Sequence, residues 1–174
     1  MSEVRGMVPP NSLEAERSVL GAMLQDPKAV MHAVEALKPE DFYQPQHREI
    51  FGAMLSLFRN QRPVDITTLD DELGRRGTLE GVGGTGYLMG LMDFVPTTAN
   101  VQAYIDIVTG RSILRQLIDA SQHILQESYS QQDPVQDIMN HAEKAIFDVA
   151  MRRSEGESLK PVREVLQDTV AVIE

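Results

Sequence analysis

The chain has 174 residues, of which 42% are hydrophobic, 5% aromatic and 24% charged, with no Cys and no Trp. This composition allows a sizeable core of Leu, Ile, Val, Met and Ala, which suits packed helices, and excludes disulfides, thiolate metal sites and cysteine nucleophiles. Sixteen Lys plus Arg against 26 Asp plus Glu leave a net charge of −10, shared equally between residues 1–100 and 101–174, which disfavours non-specific attraction to phosphate backbones.

The first element is signalled by Pro9-Pro10 followed by Asn11, whose side chain can cap backbone N–H groups while Glu14, three residues on, reaches back in a capping box. Val19, Leu20, Met23 and Leu24 form the apolar stripe of that helix. Asp26-Pro27 supplies a cap and a first-turn proline for a second helix through Val30, Val34 and Leu37. After a turn at residues 38–41, Ile50, Phe51, Met54, Leu55 and Phe58 keep helical spacing, and Pro63-Val64-Asp65 closes that helix and caps the next one, through Leu69 and Leu73. Gly74 and Gly77 mark its end, and five more glycines lie between 81 and 90, a turn-rich junction.

From about Ala99 the texture changes. A helical pattern runs to about Ser130, and Asp133-Pro134 opens another that reaches about Arg153, which reads as a long antiparallel hairpin. Ile113, Leu114, Leu117, Ile118, Ile124 and Leu125 fill an arc of about 140°, wider than one partner helix covers. On the return helix Val135, Ile138, Met139, Ala142, Ile146, Val149 and Ala150 form one stripe, with Phe147 and Met151 off it on a row of their own. Both helices therefore keep apolar surface for a second contact, and Phe147 and Met151 are the candidates for self-association. A polar linker follows, and Pro161 opens a last helix whose Val162, Val165, Leu166, Val170 and Ile173 share one face. The organisation expected is all-α: a helical headpiece over 1–100, a hairpin over 101–153, and a linker with its helix over 154–174.

Motifs for chemistry are weak. Gly81 to Gly86 satisfies G-x-G-x-x-G, but no β-branched strand precedes it, so a dinucleotide site is not expected. None of the four lysines follows Gly, which removes the phosphate-binding P-loop. His32, His47, His123 and His141 lie in separate segments without the spacing of metal ligands, and read as solvated or hydrogen-bonding side chains. The carboxylates fall where caps and exposed faces want them, so no acid/base pair is argued. No apolar run approaches the roughly 20 residues of a membrane span, and the start lacks the order of a signal peptide, so a cytoplasmic protein is expected.

Several blocks in order resemble one family. They are Pro9-Pro10-Asn11-Ser12-Leu13-Glu14-Ala15-Glu16 with Ser18-Val19-Leu20-Gly21, then Asp41-Phe42-Tyr43, His47-Arg48-Glu49-Ile50-Phe51 and Pro63-Val64-Asp65. Gly83-Gly84 before Tyr87-Leu88, Ala99-Asn100-Val101, and Tyr104 with Ile107-Val108 complete the set. Together they resemble the amino-terminal domain and linker of a DnaB-type bacterial replicative DNA helicase, over residues 9–174.

The resemblance implies a collar over a ring of RecA-like motors, six chains assembling as a trimer of dimers. It further implies that this chain is a fragment without enzymatic activity, with no cofactor of its own and little direct DNA binding. ATP, Mg and 5′ to 3′ unwinding then belong to the absent motor domain. The carboxy-terminal domain of primase is the expected partner, with Tyr87, Ile118 and Ile124 at the matching positions, and a helicase loader is a further one. For Ile118 and Ile124 the competing role is packing within the hairpin. The terminal stripe, Val162 to Ile173, is expected to dock on a neighbouring motor. Gly110 departs from the family's usual charged residue, and glycine costs about 1 kcal/mol in a helix interior. The alternative to this reading is a stand-alone acidic helical regulator that binds nucleic acid or a small ligand.

Overall fold

The structure, a computed structural model, describes residues 6–152. The terminal stripe of Val162, Val165, Leu166, Val170 and Ile173 lies outside the described residues. The described residues divide into two compact units, with the division between Ser112 and Ile113. Every described element is helical: α1 (Leu13–Gln25), α2 (Pro27–Ala36), a short 3-10 turn (Pro39–Asp41), α3 (Pro45–Arg59), α4 (Ile66–Arg76), α5 (Gly84–Phe94), α6 (Val101–Ser130) and α7 over 135–152. The fold is all-α, as composition and periodicity imply.

In the first unit α1 is the central element. Val19, Leu20, Ala22 and Met23 are wholly buried and Ala15 is nearly so, and the buried residues run around most of the helix's circumference. Its cap departs from expectation. Ser12, not Asn11, holds the N-cap position, its Oγ accepting from Ala15 N at 3.2 Å, while the Asn11 amide donates to Pro9 O. The helix thus begins one residue later than a capping box with Glu14 requires. Asp26 caps α2 by accepting from Lys28 N at 2.9 Å, with Pro27 in the first turn.

On α3 the inward row is His47, Ile50, Phe51, Met54 and Leu57, all buried. Leu55 packs only partly against the core and Phe58 is exposed, so the stripe is rotated toward Leu57 relative to the expectation. Phe42 lies against Phe51 with ring centroids 4.9 Å apart. Asp65 and Thr68 cap α4 reciprocally, and Gly77 ends it at φ +71°, in the left-handed region where glycine carries no steric penalty.

Helix α5 stands where the glycine-rich stretch predicts only turns. Gly84, Gly86 and Gly90 give it poor intrinsic propensity, and tertiary packing supplies what propensity lacks: Leu88 and Leu91 are fully buried. The contact depends on Gly21 of α1, where a Cβ would stand 2.1 Å from the carbonyl oxygen of Leu91. Two side chains of α1 then fasten the same helix. The Gln25 amide donates to Met92 O at 2.5 Å and Val95 O at 2.8 Å, satisfying carbonyls at the end of α5, and the Arg17 guanidinium sits 4.0 Å over the Phe94 ring. The start of α6 is tied to this unit by Ser112 Oγ, which donates to buried Asp41 at 2.6 Å, and by buried Val101, Ile105 and Val108.

The second unit holds the rest of α6 and α7, joined by a turn with Gln131 at φ +50°. His141 and Glu127 approach to 3.5 Å across the turn-proximal end, as an antiparallel pairing requires. Gly110 does not interrupt α6, which is assigned as one continuous helix.

Candidate functional site

Three residues from three helices meet in the first unit. Glu16 reaches from α1 to the start of α3, on the face that also carries Leu20 and Met23. His47 occupies the first turn of α3, and Tyr87 the first turn of α5. Glu16 and His47 are each 1% exposed, whereas Tyr87 is half-buried.

The Glu16 carboxyl is met by donors: Tyr43 N at 2.5 Å on one oxygen, Gln44 N at 3.3 Å and His47 Nδ1 at 2.6 Å on the other. An acceptor surrounded in this way assigns the hydrogen to Nδ1. In the neutral imidazole Nε2 is then the acceptor, and the Tyr87 hydroxyl, 2.8 Å away, donates to it. The two rings lie nearly parallel, 21° apart, with centroids separated by 6.2 Å. Gly83 completes the seat. Its φ is +106°, and a Cβ there would meet Tyr87 Cβ at 2.8 Å and Cγ at 3.0 Å, so only glycine lets the Tyr87 side chain lie where it does.

A carboxylate, an imidazole and a hydroxyl in series also describe a hydrolytic triad, but a triad needs an open cleft with donors converging on a reacting oxygen. Here the series ends on a phenol seated against the Gly83 backbone. A groove of about 440 Å³, lined by Leu24, Val30, Met31, Phe58, Pro63 and Val64 among others, contains none of the three residues. Among the described residues no group of three or more His, Asp or Glu could hold a metal ion, and no helix is long and apolar enough to cross a membrane.

A second polar cluster pins α3 to α4. Glu72 is buried and accepts from Arg75 and from Arg76 at 3.0 Å, while Arg76 also reaches Glu49 at 3.4 Å. The Arg76 hydrogen bond, assisted by Arg75 and Ser56, holds the Glu72 carboxyl below its ordinary range against the opposing effect of burial. No ligand-facing geometry accompanies it, so its role is structural.

The second unit presents apolar side chains to solvent. Of the wide stripe, Leu114, Leu117, Ile118 and Leu125 are exposed and Ile113 and Ile124 are half-buried. On α7 Val149 is buried, whereas Val135, Met139, Ile146, Phe147 and Met151 are exposed, Phe147 to 61%. Of the two residues singled out on the hairpin for partner binding, Ile118 is 38% exposed and Ile124 is half-buried, so each keeps part of its side chain within the unit.

Sequence reasoning missed Glu16 and the use made of His47. Both stand at buried spacings of apolar rows, Glu16 four before Leu20 and seven before Met23, His47 three before Ile50 and seven before Met54. That placement was the available signal.

An all-α headpiece followed by a helical hairpin is the class this fold defines. Residues 8–110 match the family model of the DnaB-like helicase N terminal domain, and the chain belongs to that family. It is 41% identical over 167 residues to the replicative DNA helicase DnaB of Geobacillus stearothermophilus, covering 96% of this chain and 37% of that protein. The chain thus spans little more than a third of the relative it matches. Among solved structures, the N-terminal domain of DnaB helicase from Mycobacterium tuberculosis superposes with a TM-score of 0.77 at 39% identity, covering 82% of this chain and 99% of that one. A DnaB-like replicative helicase, from a structure that concerns its interactions with primase, matches at a TM-score of 0.68 and 25% identity, over 90% of this chain and 35% of the other.

Proposed function

We propose that this chain is the amino-terminal collar of a hexameric replicative DNA helicase, which assembles the ring and recruits primase in the bacterial cytoplasm. The observation that carries the reading is apolar surface on both helices of the hairpin, in a chain 41% identical to a replicative helicase over 96% of its length. Exposed Leu, Ile, Phe and Met side chains aligned along a helix pair are costly in water and favour a protein partner. In this reading Phe147 and Met151 face another copy, as dimers, a trimer of dimers and the hexamer require, and Tyr87, Ile118 and Ile124 face the carboxy-terminal domain of primase. A helicase loader is a further partner. ATP hydrolysis, Mg and 5′ to 3′ unwinding belong to a RecA-like motor of the whole protein, and Val162, Val165, Leu166, Val170 and Ile173 dock on that motor.

Binding of the primase carboxy-terminal domain to the 174-residue chain tests the recruitment half. Ile118→Asn removes an exposed side chain and is expected to weaken binding about 5- to 30-fold, the equivalent of roughly 1–2 kcal/mol of lost apolar burial. Helical circular dichroism should be unchanged. Ile124→Asn should weaken binding to a similar degree. Wild-type affinity in a folded Ile118→Asn variant removes Ile118 from the surface.

A further inference from the structure

We propose that Glu16 and His47 are positioning residues for Tyr87: two buried side chains that touch no partner but set the orientation in which the tyrosine ring is offered at the surface. The inference rests on the recruitment reading only in taking Tyr87 as a contact residue.

The geometry carries the rest. The helix backbone already limits χ1 of a tyrosine to two wells, and a bond to the hydroxyl oxygen selects between the orientations that remain. Here three restraints act at once. The hydroxyl is drawn inward to His47 Nε2 at 2.8 Å, the imidazole is held by Glu16 at 2.6 Å, and the Gly83 backbone closes the space beside Cβ and Cγ. Glu16 in turn cannot swing, because the backbone N–H groups of Tyr43 and Gln44 fix its carboxyl. Each member therefore inherits its position from the one behind it, and the series runs from the most central helix outward. Tyr87 is half-buried and packs against the core, so with its hydroxyl bonded to His47 whatever part of the side chain remains at the surface is held in one orientation. An ordered aromatic ring loses little conformational entropy when a partner covers it, which is why rigid aromatics anchor interfaces.

Glu16 also has a structural use, since an apolar residue in its place would deprive the backbone N–H groups of Tyr43 and Gln44 of this acceptor at the start of α3. Nor could an apolar pair hold a phenol by its oxygen. A buried carboxylate and imidazole carry a desolvation cost, and the Nε2 side of His47 is directed to the half-buried Tyr87.

The test measures affinity of the 174-residue chain for the purified primase carboxy-terminal domain in a set of variants, with folding checked by circular dichroism. His47→Leu is expected to weaken binding about tenfold, the scale of one well-placed buried hydrogen bond lost together with the order it imposes. His47→Gln, whose amide keeps one donor and one acceptor, should stay within about threefold of wild type. Tyr87→Phe keeps the ring, loses its anchor and folds readily; it should match His47→Leu, and the double variant should be no weaker than either single one. The proposal is overturned if His47→Leu binds like wild type, or if it costs the same factor in a Tyr87→Ala background as in wild type, since it would then act through general structure. If Tyr87→Ala itself binds primase like wild type, the failure lies in the recruitment reading, and the positioning role falls with it.

Discussion

Replacing Gly21 by Ala adds one methyl group to α1, and the structure gives that methyl nowhere to go. Its carbon would lie 2.1 Å from Leu91 O, 3.1 Å from Leu91 C and 3.0 Å from Val95 Cγ2. The first two obstacles are backbone, so no rotamer change relieves them, and α5 must withdraw by about 1 Å to restore ordinary contact, a shift that the close packing of protein interiors resists. Overpacking of this kind costs about 3 kcal/mol when the obstacle is rigid, at the upper end of its usual range. Withdrawal also stretches the Gln25 bonds to Met92 and Val95, worth about 0.5–1.5 kcal/mol each. Against this, alanine is favoured over glycine in a helix by about 1 kcal/mol. The expected net is a loss of about 3 kcal/mol, which lowers the urea midpoint by more than about 1 M at the slopes usual for small proteins. Gly110 provides the control. It too lies inside a helix, but it is exposed and a methyl group there would meet nothing within 4 Å, so Gly110→Ala should raise the midpoint slightly. A Gly21→Ala variant that unfolds at or above the wild-type midpoint would show that α1 and α5 are not held as close as described.

Phe147→Glu should shift the chain toward monomer in sedimentation velocity at micromolar concentration without loss of helicity, because burying an unpaired carboxylate costs several kcal/mol while the side chain is 61% exposed in one chain; an unchanged distribution of species would remove Phe147 from the self-association surface. Glu72 should contribute to acid sensitivity. Its carboxyl is depressed in the folded state, so its contribution is fully present above the ordinary value of 4.5 and is lost as pH falls through the lower folded value. Urea midpoints measured from pH 6 down to 3 should therefore decline less steeply below about 4.5 in Glu72→Gln than in wild type, from a lower starting point, and parallel curves would contradict the assignment.

The helices that carry strong apolar periodicity and explicit caps were legible from residues alone. Asp26-Pro27, Asp65 and Gly77 each do in the structure what their chemistry suggests, and the hairpin falls where Asp133-Pro134 places its turn. Two of the departures have plain physical causes. Asn11 and Ser12 are both good caps and stand side by side, so propensity could not choose between registers one residue apart, and the bond from Ser12 to Ala15 decides it. Helix α5 was hidden because its glycines argue for turns, and only the burial of Leu88 and Leu91 against α1, a contact between residues about 70 apart in sequence, outweighs them.

The relay was harder to see for a related reason. A carboxylate at a buried spacing announces that something must satisfy it, but not what. Glu16 and His47 are 31 residues apart, and Tyr87 is 40 beyond His47, so their meeting follows from how α1, α3 and α5 pack rather than from any local pattern. That packing returns to Gly21. Helix α1 carries both Gly21 and Glu16, and α5 carries both Leu91, which rests on Gly21, and Tyr87, one turn earlier. The two hydrogen bonds of the series run from α1 to α3 and from α3 to α5, so the series joins by way of α3 the two helices that Gly21 seats directly on each other. Gly21 thus sets the direct contact of α5 with α1, the Glu16–His47–Tyr87 series ties the same two helices through α3, and the position of the Tyr87 backbone answers to both.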